Sequence, residues 1–377
     1  MFSPINLSSV LAGLAGSVGL GTPLDRLKRL MKDEYGASAI TLVDSGTSAV
    51  RLSIDAGISF TGSDLIALPA YGCFDLATAA VGTKARVGLY DILPETLGPD
   101  FGSLRRVLDA GARTVVVAHL YGIPVDLTRC RELATEYDAV LIEDAAQGAG
   151  GSWRSRPLGS WGDLGVLSFG RGKGRTGGGG GGLLANTAVG VSMLNSMPAI
   201  QNSSHTGGLA IVKLAAQWAL GRPSLYGIPA SLPLLGLGET AYREPWEPST
   251  MSPGPAAALL LNWEPSKREE AARRQFAAEC VRRSAGGSRW PQVVSELAAS
   301  SDRAGGFLRL PFLADTTERI DRNARAGFAK GYPQCLAELA PIQDRLLPLG
   351  DLSGAQELVK RLRTAPVHRW ARQEKTR

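Results

Sequence analysis

Apolar residues recur at Leu24, Leu27, Leu30 and Met31 in "TPLDRLKRLMKDEYG", the spacing of one helix face. Thr22 and Pro23 supply a start signal for that helix, and Gly36 a stop. The pattern then changes to a strand over 39–43, before a helix that starts near Thr47. The alternation continues: strand "DLIALPA", helix "FDLATAAVG", strand "ARVGLYDI", helix "DFGSLRRVLDAG", strand "RTVVVAHLYG", helix "DLTRCRELATEYD", strand "AVLIEDAAQ". Two further strands, "DLGVLSFG" and "GGLLAN", flank a loop that carries Lys173 and six consecutive glycines, Gly177 to Gly182. Continuous apolar strands separated by helices predict an α/β fold whose large domain has a mostly parallel central sheet flanked by helices. Ligands of such sheets collect beyond the carboxyl ends of the strands. Polar residues cluster at those ends, at 45–48, 71–75, 119, 144–147 and 168–173.

Beyond the alternating region the pattern weakens. Residues 193–255 are rich in Pro and Gly and read as an irregular, partner-contacting segment. "AAALLLNWEPSKREEAARRQFAAECVRRS" reads as one or two long helices, "GGFLRLPFLA" as a strand, and "GAQELVKRLRTAPVH" as a helix running into a strand. The expected organisation is an N-terminal arm (1–23), a large domain (24–264) and a smaller C-terminal α/β domain (265–377). The apolar stretch 5–21 has no basic residues before it, so it does not read as a signal peptide, and its glycines make it a poor helix. It is expected to be an arm or an amphipathic helix packed on the body or on a second subunit.

Composition changes the picture in two places. The net charge of +6 is dispersed, and no nucleic-acid-binding module accompanies it, so nucleic acid is not the expected partner. A basic surface equally suits a phosphorylated substrate. The four cysteines, Cys73, Cys130, Cys280 and Cys335, form no CxxC pair. That argues against a disulfide framework or a zinc site and for a reducing, cytoplasmic setting without a metal.

Three motifs carry chemistry. In "SGTSAV", Gly46, Thr47 and Ser48 offer backbone N–H groups and hydroxyls at a strand-to-helix junction, fit to hold a phosphate or simply to cap the helix. In "VLIEDAAQ", Asp144 follows a buried strand and requires a partner: a protonated ring nitrogen, or a structural cation or turn N–H. Lys173 fits no Walker motif, because its glycines come after it and no Ser or Thr follows directly. A lysine near a cofactor's phosphate neutralises its charge; one facing an aldehyde forms a Schiff base once its ammonium loses a proton. The glycines then read as close backbone packing beneath it.

Together "SGTSAV", "LPAYGCFDLATAAV", "VVVAHLYGIPVDL", "VLIEDAAQGAGG", "PLGSWGDLGVLSFGRGKG" and "GGGGGGLLAN", in this order, resemble the DegT/StrS-type nucleotide-sugar aminotransferases. These are pyridoxal 5'-phosphate (PLP) enzymes of the aspartate-aminotransferase fold. The resemblance implies that Lys173 carries the Schiff base and shuttles the proton, that Asp144 pairs with the pyridinium nitrogen, and that Gln147 lies near the cofactor's 3-hydroxyl or ring face. It implies that Gly46, Thr47, Ser48 and Ser168 hold the phosphate, and that Phe74, or Cys73 in its place, covers the ring. His119 lies at a strand end near the site. The implied reaction moves an amino group from an amino acid, glutamate by expectation, to a keto group on a nucleotide-linked sugar, within a homodimer. A non-sugar keto substrate and a non-catalytic scaffold are the alternatives. The chain departs from the resemblance where Pro248 replaces a usual Asn, and where a usual Glu among the glycines is missing. Some relatives carry His in place of the lysine and dehydrate instead; Lys173 argues against that here.

Overall fold

The computed structural model describes residues 5–203, 207–220, 240–283, 290–315 and 327–368. The chain opens with α1 (Leu7–Ser17), α2 (Pro23–Tyr35), β1 (Ala39–Val43), α3 (Gly46–Thr61), β2 (Leu65–Pro69), α4 (Asp75–Thr83), β3 (Arg86–Tyr90) and α5 (Phe101–Asp109). It continues through β4 (Thr114–Ala118), α6 (Leu127–Glu136), β5 (Val140–Asp144), β6 (Leu164–Ser168), β7 (Gly181–Ala185), α7 (Ala188–Ser196) and α8 (Gly208–Leu220). The remaining elements are α9 (Pro253–Arg283), α10 (Gln292–Ala299), β8 (Leu310–Leu313), β9 (Ala329–Lys330), β10 (Leu346–Leu347), α11 (Ser353–Arg361) and β11 (Leu362–Ala365).

An eight-stranded sheet runs β1-β7-β6-β5-β4-β2-β3-β10, with β7 antiparallel to both its neighbours and the other pairs parallel. The apolar runs of β2 and β7 are buried throughout, as the absence of alternation required. A second sheet, β8-β11-β9, is antiparallel. The expected boundary at 264–265 falls inside α9, which runs unbroken past Pro265, and β10 from the C-terminal part joins the edge of the large sheet.

Three local expectations change. Thr22 sits at the N-cap of α2 without a side-chain cap bond; Pro23 and the left-handed Gly36, whose N–H donates to Lys32 O at 2.9 Å, define the helix instead. Residues 7–17 are helical despite their glycines. Asn6 caps them by accepting from Ser9 N–H at 2.8 Å, and the glycines allow contact that side chains would block. A Cβ on Gly13 would lie 2.5 Å from Ile211 Cδ1, and one on Gly16 2.7 Å from Ala257 Cβ. Within the expected irregular segment, residues 208–220 form α8 because Ile211 and Leu214, three apart, bury one face with Val10 and Ala258. Residues 240–252 are irregular apart from bridges at Ser249 and Thr250, whereas 221–239 lie outside the described residues.

Candidate functional site

Asp144 ends β5, in register with Ala118 of β4 on one side and Val166 of β6 on the other. It faces a cleft lined by Cys73, Ala118, His119, Leu120, Gln147 and Tyr332. Its Oδ1 accepts from Ala146 N–H at 2.9 Å. Burial raises the Asp144 pKa above the ordinary carboxylate range; the Ala146 hydrogen bond and the charge of Lys173 oppose that rise without cancelling it. Lys173, half-buried in the loop between β6 and β7, therefore acts electrostatically on Asp144, and it acts on Cys73 as well. The loop thus comes within electrostatic range of the strand end and of Cys73, which lines the cleft.

By strand alternation Glu143, one residue before Asp144, points to the opposite side of the sheet, and it is fully buried. It accepts from Gly159 N–H at 2.6 Å, Trp161 N–H at 2.7 Å and Gly162 N–H at 3.0 Å. His119 Nδ1 accepts from Val125 N–H at 3.3 Å, which leaves Nε2 to donate to Glu143 at 2.9 Å. Both ring nitrogens are thereby engaged. His119 forms wall rather than a free acid or base.

Cys73 and Phe74 part company. Cys73 lines the cleft, whereas Phe74 is 3% exposed and belongs to the core. Burial, and then the charge of Asp75, push the Cys73 thiol up to about 12, so it is present as a neutral thiol. Gln147 is held from two sides: Oε1 accepts from Tyr121 N–H at 2.9 Å, and Nε2 donates to Tyr332 Oη at 2.5 Å. Tyr332 stacks on Tyr121 at 5.8 Å between centroids and meets Tyr71 edge-on at 5.3 Å.

At the N-terminus of α3, Ser45 rather than Thr47 is the cap, accepting from Ser48 N–H at 3.0 Å. Gly46 allows this turn to touch β6: a Cβ there would lie 2.6 Å from Ser168 Cβ. Since Ser168 stands two residues beyond Val166, the partner of Asp144, the Gly46–Ser168 contact adjoins the cleft. Thr47 and Ser48 also line a recess with Arg51, Thr78, Ala79, Pro245 and Trp246. The segment that departs from the resemblance is fastened there to its own chain. Thr78 Oγ1 donates to Arg243 O at 2.8 Å, Arg51 Nη1 to Trp246 O at 2.5 Å, and Trp246 Nε1 to Asp44 Oδ2 at 3.0 Å.

The glycines after Lys173 pack as expected. A Cβ on Gly177 would lie 2.1 Å from Pro255 O, and one on Gly181 2.3 Å from Ser45 O. Between them and the lysine, Arg175 is buried. It donates from Nε and Nη2 to Glu270 at 2.8 and 3.0 Å, pairs with Glu34 at 2.6 Å, and lies over the Trp263 ring at 4.4 Å. Sequence reasoning missed Tyr332, Arg51, Trp246 and Glu270. Tyr332, Trp246 and Glu270 reach the site from distant stretches of chain, whereas Arg51 lies one turn along α3 from Ser48. Arg175, two residues after the lysine, was the local signal for Glu270.

A profile described as the DegT/DnrJ/EryC1/StrS aminotransferase family matches residues 10–204. The chain is 32% identical over 156 residues to an L-glutamine:2-deoxy-scyllo-inosose aminotransferase of Streptomyces kanamyceticus, covering 41% of this chain and 36% of that protein. It is 26% identical over 169 residues to a GDP-perosamine synthase of Vibrio cholerae, covering 45% of this chain and 46% of that one. The matches thus span between about a third and a half of these relatives. Among solved structures, a DegT DnrJ EryC1 StrS aminotransferase from Brucella abortus superposes with a TM-score of 0.72 at 17% identity, covering 97% of this chain and 93% of that one. A sugar aminotransferase from Micromonospora echinospora superposes with a TM-score of 0.71 at 20% identity, covering 97% and 93%. These two likenesses establish the fold.

Proposed function

The chain belongs to the DegT/DnrJ/EryC1/StrS aminotransferase family, and from that premise we propose that it is a PLP-dependent aminotransferase. One observation carries the reading: Asp144, at a cleft that adjoins the Gly46–Ser168 contact, lies within electrostatic range of Lys173 from a separate element. The residues suit PLP. A buried carboxylate with a raised pKa requires a cation, which a protonated ring nitrogen supplies. A helix N-terminus with Thr47, Ser48 and the adjacent Ser168 suits a phosphate.

When bound, PLP supplies an aldehyde and an electron-accepting ring. Lys173 would hold the aldehyde carbon through Nζ and, once freed by the amino donor, carry the proton across the reacting face. Asp144 would keep the ring nitrogen protonated. Gln147, fixed by Tyr121 and Tyr332, would fix the ring's tilt, and Cys73 would take the covering position that the sequence had offered to Phe74.

The acceptor is read as a keto group on a sugar or cyclitol ring, since the relatives are named for both; a nucleotide-linked sugar is the finer form of that proposal. The donor is glutamate or glutamine. The proposal extends to a cytoplasmic homodimer and to a division into a large domain and a C-terminal one built on β8-β11-β9. No helix among the described residues is long and apolar enough to cross a membrane.

Borohydride treatment of protein incubated with PLP, followed by peptide mass mapping, tests the assignment. The reduced adduct is expected on the peptide bearing Lys173 and absent from Lys173→Ala. An adduct elsewhere, or none, overturns it. A panel of amino donors and keto acceptors, read by donor consumption, then separates sugar, cyclitol and non-sugar substrates; no turnover with any donor would favour the scaffold.

A further inference from the structure

The large apolar side chains most exposed among the described residues are concentrated on one part of the molecule. Leu7, Leu11, Leu14 and Val18, spaced by four, three and four, form a single stripe along α1 with exposures from 45% to 76%. The other side of α1 is committed: Val10, Gly13 and Gly16 press against α8 and α9. On those supporting helices, Leu209 and Val212 of α8 are 69% and 60% exposed, and Leu261 of α9 is 48% exposed. Scattered surface leucines need no explanation; a three-helix cluster of them marks a contact surface.

Its electrostatics narrow the occupant. The sequence holds no Asp or Glu from 1 to 24, from 164 to 238, or from 248 to 263. All three helices contribute their exposed apolar residues from within these acid-free stretches. The charged residue of α8 is Lys213, which is exposed. Helix α2, which packs on α9, exposes charges of both signs, Arg26, Lys28, Arg29 and Lys32 with Asp25 and Asp33. On α9 the first acid, Glu264, stands beyond Leu261 and pairs with Lys267 at 3.3 Å. An apolar face without acids among its apolar positions, carrying the base Lys213, complements a surface that is apolar beneath and anionic above.

We propose that the α1–α8–α9 face seats the protein on an anionic phospholipid bilayer, lying on the membrane without crossing it. The leucine stripe would enter the headgroup–acyl boundary, with Lys213 at the level of the phosphates. This reading is independent of the chemistry at Lys173.

The test is co-sedimentation of the full chain with vesicles of phosphatidylcholine alone and of phosphatidylcholine mixed with phosphatidylglycerol. Wild type is expected to pellet with the mixed vesicles and several-fold less with phosphatidylcholine alone. The double variant Leu11→Glu, Val212→Glu, altered only at exposed positions, is expected to lose about tenfold in bound fraction while its circular dichroism and its Lys173 trapping stay as in wild type. Wild type that stays in solution, equal binding to both vesicles, or undiminished binding by the variant would overturn the proposal. So would a variant whose only change is a smaller mass in sedimentation velocity, since that result assigns the face to a second copy of the chain.

Discussion

Arg175 and Glu270 meet in the interior through two hydrogen bonds of 2.8 and 3.0 Å, two residues beyond the lysine that the proposed chemistry requires. The pair also reaches the Asp144 loop: a Cβ on Gly150 would lie 2.7 Å from Glu270 Cβ. Both halves of the cleft thus rest against one buried carboxylate. Glu270→Gln leaves Arg175 with Glu34 as its remaining carboxylate. Breaking a buried pair in this way is expected to cost about 3 kcal/mol, measured by urea unfolding, and to slow Lys173 trapping at temperatures where the variant is still folded. A variant as stable as wild type would show that the pair does not brace the loop.

Asp144 predicts an opposite pairing of effects. Its raised pKa means that the folded state disfavours the charge, so without cofactor the carboxylate opposes folding above the ordinary carboxylate pKa. Asp144→Asn is therefore expected to stabilise cofactor-free protein by about 1 kcal/mol and to weaken PLP retention on dialysis. Equal stability together with unchanged retention would remove Asp144 from its proposed role.

The glycine run separates into required and tolerant positions. Gly177→Ala places a methyl against the Pro255 carbonyl and is expected to cost about 3 kcal/mol. Gly179→Ala meets nothing closer than Ala210 Cβ at 3.8 Å and is expected to fold normally. Thermal melts of the two variants decide the matter, and equal melting temperatures would contradict the packing described.

Acid should unfold the chain partly through Glu143. Burial pushes its pKa up, but the His119 hydrogen bond and charge and the N–H groups of Gly159 and Gly162 outweigh burial, and the net shift is downward. A depressed folded pKa contributes stability above the unfolded carboxylate value of about 4.3 that is lost as pH falls through the folded value. The urea midpoint is expected to drop steeply below about pH 4, and less steeply in Glu143→Gln, which starts lower. Identical slopes would remove Glu143 from the acid transition.

The strands and the helices between them were legible because each is specified locally, by an apolar run of strand length or a helical spacing between stop signals. Lys173 and Asp144 were legible for the same reason: both sit in short motifs at strand ends. Cys73 against Phe74 was not, since adjacent residues around a turn look alike in sequence and only packing decides which one is buried. Helix α1 was legible only as one of two readings, arm or amphipathic helix, because glycine's low propensity competes with the close approach that glycine allows. Tyr332, Trp246 and Glu270 were invisible because their partners lie far along the chain.

Helix α9 joins these particulars. Along one unbroken rod, Ala257 takes the backbone of α1 at Gly16, Pro255 takes Gly177, and Glu270 takes Arg175. Pressure on the first helix would therefore be felt, through α9, at the loop that carries Lys173.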